Sequence, residues 1–329
     1  MPNKVSRFTI WGISILAAFS YGIAVKQYEL PPHAQLKALK DKLTAPPPRP
    51  RDGPWSIGLY EGKNPFELSP AAGVTNPVIT AADVTDFDAA FVADPFLYQD
   101  GGTTYIFYEA LDRSTNQGDV AYSRSTDGIH WTYGRRVVDE PFHLSYPQVF
   151  SWEGQHYLVP ESHLDRSVRL YRAESFPDRW TYVGNLLGGY HYVDPTVFRH
   201  ADRWWMFVTT PESDVLNLYY SDNLTSGWRP HPGNPLIKFN AHIARPSGRV
   251  VEADGRLYRV TQDDAPSYGI QVRAFEILKL SETEYEERPV SDVPVVGASG
   301  TGWNAAGMHQ VDLLKVDGLW KASVDGRAW

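Results

Sequence analysis

From Trp55 onward the chain runs in short segments rich in β-branched and aromatic residues, separated by Asp, Asn and Gly turn signals, with no long helical period. One unit displays the pattern. Phe91–Tyr98 reads as a strand, Gln99-Asp100-Gly101-Gly102 as a turn, Thr104–Glu109 as a second strand and Gly118–Ser125 as a third, before Asp127-Gly128-Ile129-His130-Trp131 closes the unit. The order recurs through Pro147–Trp152, His156–Pro160 and Val168–Ala173, then through Thr196–Arg199, Trp204–Thr209 and Leu216–Ser221. Gly248–Glu252, Leu257–Gln262 and Ile270–Ile277 form a fourth unit, and Val311–Val316 with Leu319–Val324 a truncated fifth.

Each unit opens on an equivalent residue: Asp94, Tyr146, Asp194, Arg245 and His309, the first four followed by proline. The steps between them are 52, 48, 51 and 64 residues. A second spacing agrees. Asp94 to Glu109, Tyr146 to Glu161, Asp194 to Thr209 and His309 to Val324 all span 15 residues, and only Arg245 to Gln262 stretches, to 17. Repeated four-stranded units of this length are propeller blades. The prediction is an all-β fold, a five-bladed β-propeller over residues 54–329. A β-sandwich does not explain the period. The chain stops after the second strand of unit five, so Trp55–Tyr60 and Asn76–Thr80 are expected to complete that blade and remove an open edge.

Upstream lies a different pattern. Phe8–Val25 is an uncharged run of 18 mostly apolar residues behind Lys4 and Arg7. It predicts a single N-terminal hydrophobic helix, with residues 1–26 a membrane anchor or a cleaved signal sequence. Either places the propeller on the extracytoplasmic side, membrane-anchored in one case and secreted in the other. Residues 27–53, with Ala45-Pro46-Pro47-Pro48-Arg49-Pro50, read as a stiff Pro-rich linker.

Composition narrows the chemistry. A net charge of −8 without a basic block argues against nucleic acid as a partner. The absence of cysteine excludes disulfides, thiolate metal sites and a Cys nucleophile. The 11 Trp, 19 Tyr and 14 Phe serve sheet packing first, and sugar-binding clefts also draw on Trp and Tyr.

In a propeller the first strand of each blade lines the channel, and the second strand returns to the same end. Asp94, Tyr146, Asp194, Arg245 and His309 therefore ring one funnel, with Glu109, Glu161 and Gln262-Asp263 just outside and His143 near its mouth. Such a set suits glycosidic-bond chemistry, which needs paired proton donors and acceptors in one concave site. Plainer roles exist for each: Asp-Pro is a common turn pair, Glu109 fits a rim salt bridge, His309 a satisfied core histidine, and Arg245 a carboxylate partner.

Asp94-Pro95 in the first unit and Val193-Asp194-Pro195 in the third resemble the five-bladed propeller glycoside hydrolases: arabinanases, β-xylosidases, invertases and levansucrases. FVADPF, FHLSYPQVF, PES, VRLY, ARPSGR and QDD with a following YG are more similar to the N-terminal propeller domain of plant glucosamine inositolphosphorylceramide transferases, from about Trp55 to Gly326. The hydrolase resemblance implies Asp94 as base or nucleophile, and Asp194 as the residue that tunes the acid's pKa and orients the acid or the sugar. Those enzymes place a Glu acid at the start of the fourth blade, where this chain has Arg245. A guanidinium does not donate a proton at neutral pH. The acid must then come from Glu161, whose carboxylate neighbours would raise its pKa, or from His309, since a fifth-blade His serves in some related propellers.

The expected catalytic residues are Asp94, Glu161, Asp194 and His309. The expected substrate-binding residues are Glu109, His143, Tyr146, Arg245, Gln262 and Asp263. The leading expectation is inverting hydrolysis of a glycan or glycolipid. Its alternatives are a glycosyltransferase-associated or transglycosylating enzyme on an envelope glycan or glycolipid, and a non-catalytic carbohydrate-binding propeller. No cofactor is required and no metal ligand is assigned. The related propellers bring one ion into view, a structural Ca²⁺ in the central channel near His309.

Overall fold

The computed structural model describes residues 53–329; the predicted hydrophobic helix of residues 1–26 and nearly all of the linker lie outside the described residues. Strands β1 (Trp55–Asn64) and β2 (Glu67–Pro70) come first. Blade I is β3 (Ala89–Asp100), β4 (Thr103–Asp112), β5 (Gln117–Ser125) and β6 (Thr132–Val138). Blade II is β7 (Ser145–Trp152), β8 (Gln155–Ser162), β9 (Ser167–Ser175) and β10 (Arg179–Gly188). Blade III is β11 (Val193–His200), β12 (Arg203–Thr209), β13 (Leu216–Ser221) and β14 (Arg229–Pro230). Blade IV is β15 (Val251–Ala253), β16 (Arg256–Asp263), β17 (Gln271–Leu280) and β18 (Tyr285–Pro289), with β19 (Val296–Gly297) also on β17. Blade V joins β20 (Val311–Val316) and β21 (Leu319–Arg327) to the N-terminal pair in the order β2-β1-β21-β20. The five-bladed all-β propeller is thus present. Among the described residues no helix is long and apolar enough to cross a membrane.

Ring closure follows the expected route with one correction. β1 pairs with β21 from Trp55↔Arg327 to Gly62↔Trp320. The outermost strand is β2, not Asn76–Thr80, which contributes only the bridge Ile57↔Ile79. The Asn76 side chain instead bonds both the N–H and the C=O of Leu59. The fourth strands β6, β10, β14 and β18 were not predicted. Their residues are mostly exposed or half-buried and lack the apolar runs that mark the inner strands.

The inner strands read as near-continuous apolar runs because each blade is covered on both faces by its neighbours. Each seam has its own core. Ile57, Val92, Ile106 and Tyr108 pack between blades V and I, and Phe107, Tyr122, Leu158 and Tyr171 between I and II. Val159, Leu170, Val197 and Met206 fill the next seam, then Phe207, Leu218 and Ile277, and finally Val260, Val272, Val311 and Val324. Each fully buried Val, Leu, Ile or Phe stabilises by roughly 1.5–3 kcal/mol, so the interfaces between blades carry much of the stability.

Candidate active site in the funnel

The first strands of blades I to III share one local device. Asp94, Tyr146 and Asp194 all adopt left-handed backbone, with φ of 53°, 49° and 48°. Each sits in a bulge where the pairing with the second strand slips, at Ala93/Phe96, Ser145/Gln148 and Val193/Thr196. Non-glycine residues pay about 1–3 kcal/mol for such a conformation, and bulges re-aim side chains. Here the bulge also turns a backbone N–H toward the preceding blade, where a carboxylate receives it. Asp325 Oδ2 accepts the Asp94 N–H (3.1 Å), Asp94 Oδ2 accepts the Tyr146 N–H (3.2 Å), and Glu161 Oε2 accepts the Asp194 N–H (3.0 Å). The acidic ring is therefore also a set of clasps between blades.

Around these clasps the polar groups close into a circuit. Arg245 Nε donates to Asp194 Oδ2 at 2.6 Å, and its Nη1 donates to Ser213. The Arg245 guanidinium lies 5.2 Å from the centre of the Tyr268 ring, and Tyr268 meets His309 edge-on at 5.1 Å. His309 Nε2 is 3.6 Å from Asp94 Oδ1, and its Nδ1 is 2.7 Å from Asp325 Oδ2. The His309 ring stacks on Trp55 at 4.0 Å. On the other side His163 Nδ1 is 2.6 Å from Glu161 Oε1, and the rings of His143, His163 and His191 follow one another along the wall.

Glu109 is buried at the end of β4, and its Oε1 has no hydrogen-bond partner. His143 Nε2 stands 3.4 Å from it. His143 Nδ1 accepts the Gly118 N–H (2.9 Å), which leaves the proton of the neutral ring on Nε2, facing Glu109. Burial pushes the His143 pKa down and favours this neutral form. Gly118 makes the packing possible, since a Cβ there would stand 2.5 Å from Leu144 O and 2.6 Å from Glu109 Oε1.

The carboxyls are driven apart in acidity. Burial, and then the charges of Asp94 and Glu161, raise Glu109 well above the usual range. Burial raises Asp94 to about 6, with His309 opposing it. Glu161 goes the other way: burial disfavours its charge, but the His163 hydrogen bond and the Arg245 charge outweigh this and bring it to about 2. That reverses the raised value expected for Glu161, which is ionised at neutral pH. Burial opposes charge on His309, yet Asp325 and Asp94 raise its pKa above the ordinary value. Arg245 is likewise held protonated against burial by Asp194.

Of the expected site residues, Asp94, Glu109, Glu161, Asp194, Arg245, His309 and His143 converge on the funnel. Three stand elsewhere. Tyr146 is fully buried below it, its hydroxyl 2.8 Å from Thr196 Oγ1 and accepting the Gly248 N–H at 2.6 Å, so it ties the channel wall together. Gln262 is also buried, and its amide donates to Asp194 Oδ2 and Pro246 O, which fixes the Asp194 carboxylate. Asp263 turns away from the funnel to His242, Gln271 and Arg273. Asp325, His163, Tyr268 and Trp55 were not anticipated as site residues. Tyr268 belongs to the YG pair after QDD, and that was the available signal for it.

Asp94, His309 and Asp325 bring their ligand atoms within 4.8 Å of one another. They do not fit a calcium cage. Ca²⁺ takes six to eight oxygens, whereas one donor here is a nitrogen. The Asp325 oxygens already accept N–H groups from Asp94, His309 and Gln310. Asp325 and Asp94 favour the charged form of His309 at this point.

Solved structures share the fold at low identity. A glycosyl hydrolase from Bacteroides ovatus aligns with a TM-score of 0.60 at 14% identity, over 78% of this chain and 91% of its own. The α-L-arabinanase of Cellvibrio cellulosa aligns at 0.53 and 15% identity, over 72% and 90%. In sequence, the chain is 33% identical over 339 aligned positions to glucosamine inositolphosphorylceramide transferase 1 of Oryza sativa subsp. japonica, covering 96% of this chain and 44% of the relative. The Arabidopsis thaliana protein of that name is 36% identical, over 84% of this chain and 39% of its own. The chain thus spans less than half the length of these relatives. Residues 49–327 match the family described as glucosamine inositolphosphorylceramide transferase 1, N-terminal, and the chain belongs to that family.

Proposed function

We propose that the funnel performs glycosyl-group chemistry on the sugar headgroup of a glycolipid, with Glu109 as proton donor and Asp94 as base. The observation that carries this is the divergence of neighbouring carboxyls: Glu109 well above its usual range, Asp94 at about 6 and Glu161 at about 2. Carboxyls whose environments push their pKa values apart are acid–base pairs in waiting. Glu109 passes its proton to the leaving oxygen as the sugar C1–O bond breaks. Asp94 takes the proton of the attacking hydroxyl as the new C1–O bond forms. Arg245, Asp194 and ionised Glu161 hold the sugar, and Tyr268 offers it an aromatic face. Attack by water gives hydrolysis; attack by a sugar or inositol hydroxyl gives transfer. The names of the relatives favour transfer to an inositolphosphorylceramide-type headgroup. The run Phe8–Val25 either tethers the propeller on the extracytoplasmic side of a membrane or directs its export.

The test is turnover of a panel of aryl glycosides, with and without a glycolipid acceptor, by the full chain. Glu109→Gln and Asp94→Asn should each lower turnover by about 100-fold or more while glycan affinity stays within about threefold. Wild-type rates in both variants would refute the assignment. A second reading, a glycan-binding funnel without turnover, is favoured by Arg245 at the fourth-blade position and by the clasping of Asp94 and Glu161 on backbone N–H groups. Persistent glycan binding with no turnover of any donor would select it.

A further inference from the structure

We propose that the funnel face docks on a lipid bilayer, its apolar loop tips entering the interface and the funnel opening toward the headgroups. Exposed apolar side chains are distributed unevenly over the two faces of the ring. Phe239 is 87% exposed, Val293 72%, Leu164 55%, Trp329 54% and Tyr190 51%, and these five are the most exposed large apolar side chains among the described residues.

All five belong to the funnel face. Leu164 follows the end of β8, beside His163. Tyr190 lies between β10 and β11, its ring 6.4 Å from that of His191. Phe239 precedes Asn240, whose N–H donates to Asp214 O in the loop after β12. Val293 lies between β18 and β19, and Trp329 follows the end of β21. Among the described residues the opposite face offers only Ile129, at 42%, on its connecting loops; Tyr182, Val183 and Leu278 lie along β10 and β17.

The chain outside the described residues points to the same occupant. β1 starts at Trp55, opposite Arg327, and the Gly53 N–H donates to Ala328 O, so Gly53, where the described residues begin, lies on the funnel face. The sequence before Gly53 contains the apolar run Phe8–Val25. Aromatic and aliphatic tips around a polar centre suit the interfacial zone of a bilayer, where ring edges meet headgroups and apolar bodies meet acyl chains. With a net charge of −8, the chain has no general attraction to anionic lipid, so insertion rests on the apolar tips and zwitterionic lipid suffices. The docking stands without the catalytic assignment, because a binding-only funnel would use the same face.

The absence of cysteine makes the test direct. Full chain carrying Phe239→Cys, Val293→Cys or Ile129→Cys is labelled with an environment-sensitive fluorophore and reconstituted with phosphatidylcholine vesicles, with and without a quencher on the acyl chains. Labels at positions 239 and 293 should lose emission roughly twofold or more, and the label at 129 should not respond. Equal quenching at 129 and 239, no quenching at 239 and 293, or no vesicle binding would overturn the proposal. So would a blue shift at 239 that needs no lipid and grows with protein concentration, since that marks self-association.

Discussion

Asp94 and Glu161 lie in one funnel, yet their ionisation acts on stability with opposite sign. The folded protein raises Asp94 from 3.8 to about 6, mainly through burial. A group that holds its proton more tightly when folded supports the fold fully below its unfolded pKa. That support is lost as pH rises to the folded value. The shift of 6 − 3.8 is about 2 units, which at 1.36 kcal/mol per unit amounts to about 3 kcal/mol. Glu161, lowered from 4.5 to about 2, gives the converse: support present above 4.5 and lost as pH falls toward 2, again about 3 kcal/mol. The perturbation is Asp94→Asn, with Glu161→Gln beside it. Urea unfolding followed by tryptophan emission at fixed ionic strength, from pH 3.5 to 7.5, gives the free energies. Between pH 3.5 and 7.5 the wild-type protein should lose about 3 kcal/mol relative to Asp94→Asn, about 2 kcal/mol of it between pH 4 and 6, whatever constant offset the substitution adds. Relative to Glu161→Gln, it should instead gain as pH rises from 3.5 to 5. If the Asp94→Asn curve runs parallel to wild type within about 0.5 kcal/mol, then Asp94 is not desolvated as its burial implies, and its assignment as a base near neutrality falls with it.

Two further substitutions probe the channel below the funnel. Gly248 has φ 143°, and a Cβ there would stand 2.0 Å from Val311 O, so Gly248→Ala should lower stability by about 3 kcal/mol or more, read as a reduced urea midpoint. Tyr146→Phe removes the acceptor of the buried Gly248 N–H and should destabilise by about 1–3 kcal/mol; unchanged stability would mean the hydroxyl is not a tie across the wall.

The ring positions were legible because the constraint that sets them is local and repeated. A bulged Asp-Pro or Tyr-Pro at the start of the inner strands of blades I to III recurs at blade spacing, and the 15-residue return to Glu109 or Glu161 follows from strand length. Arg245 to Gln262, at 17, also reports its geometry, since the Gln262 N–H donates to Arg245 O. What escaped is set by contacts between blades. Asp325 lies 16 residues after His309 rather than 15, and it reaches His309 by clasping backbone N–H groups, not through strand register. The acidity of Glu161 turns on His163, two residues along, and on Arg245 from another blade. Residue type placed Tyr146 and Asp263 among substrate-facing groups, but only packing reveals that one points below the funnel and the other beside it. The outer strands were missed because solvent on one side removes the apolar pattern that sequence reading relies on.

The pairing of β1 with β21 sets an order of events during synthesis. The first strand of the propeller to leave the ribosome must wait for the last one, because Trp55 finds its partner only when Arg327 has been made. Blades I to IV are each contiguous in sequence and can form as they emerge, whereas blade V, the Trp55 cover on His309 and the Asp325 clasp on Asp94 assemble together at the end. The funnel is therefore completed by the same step that shuts the ring. A chain arrested before its final strand would hold four blades, an open sheet edge and an Asp94 without its Asp325 clasp.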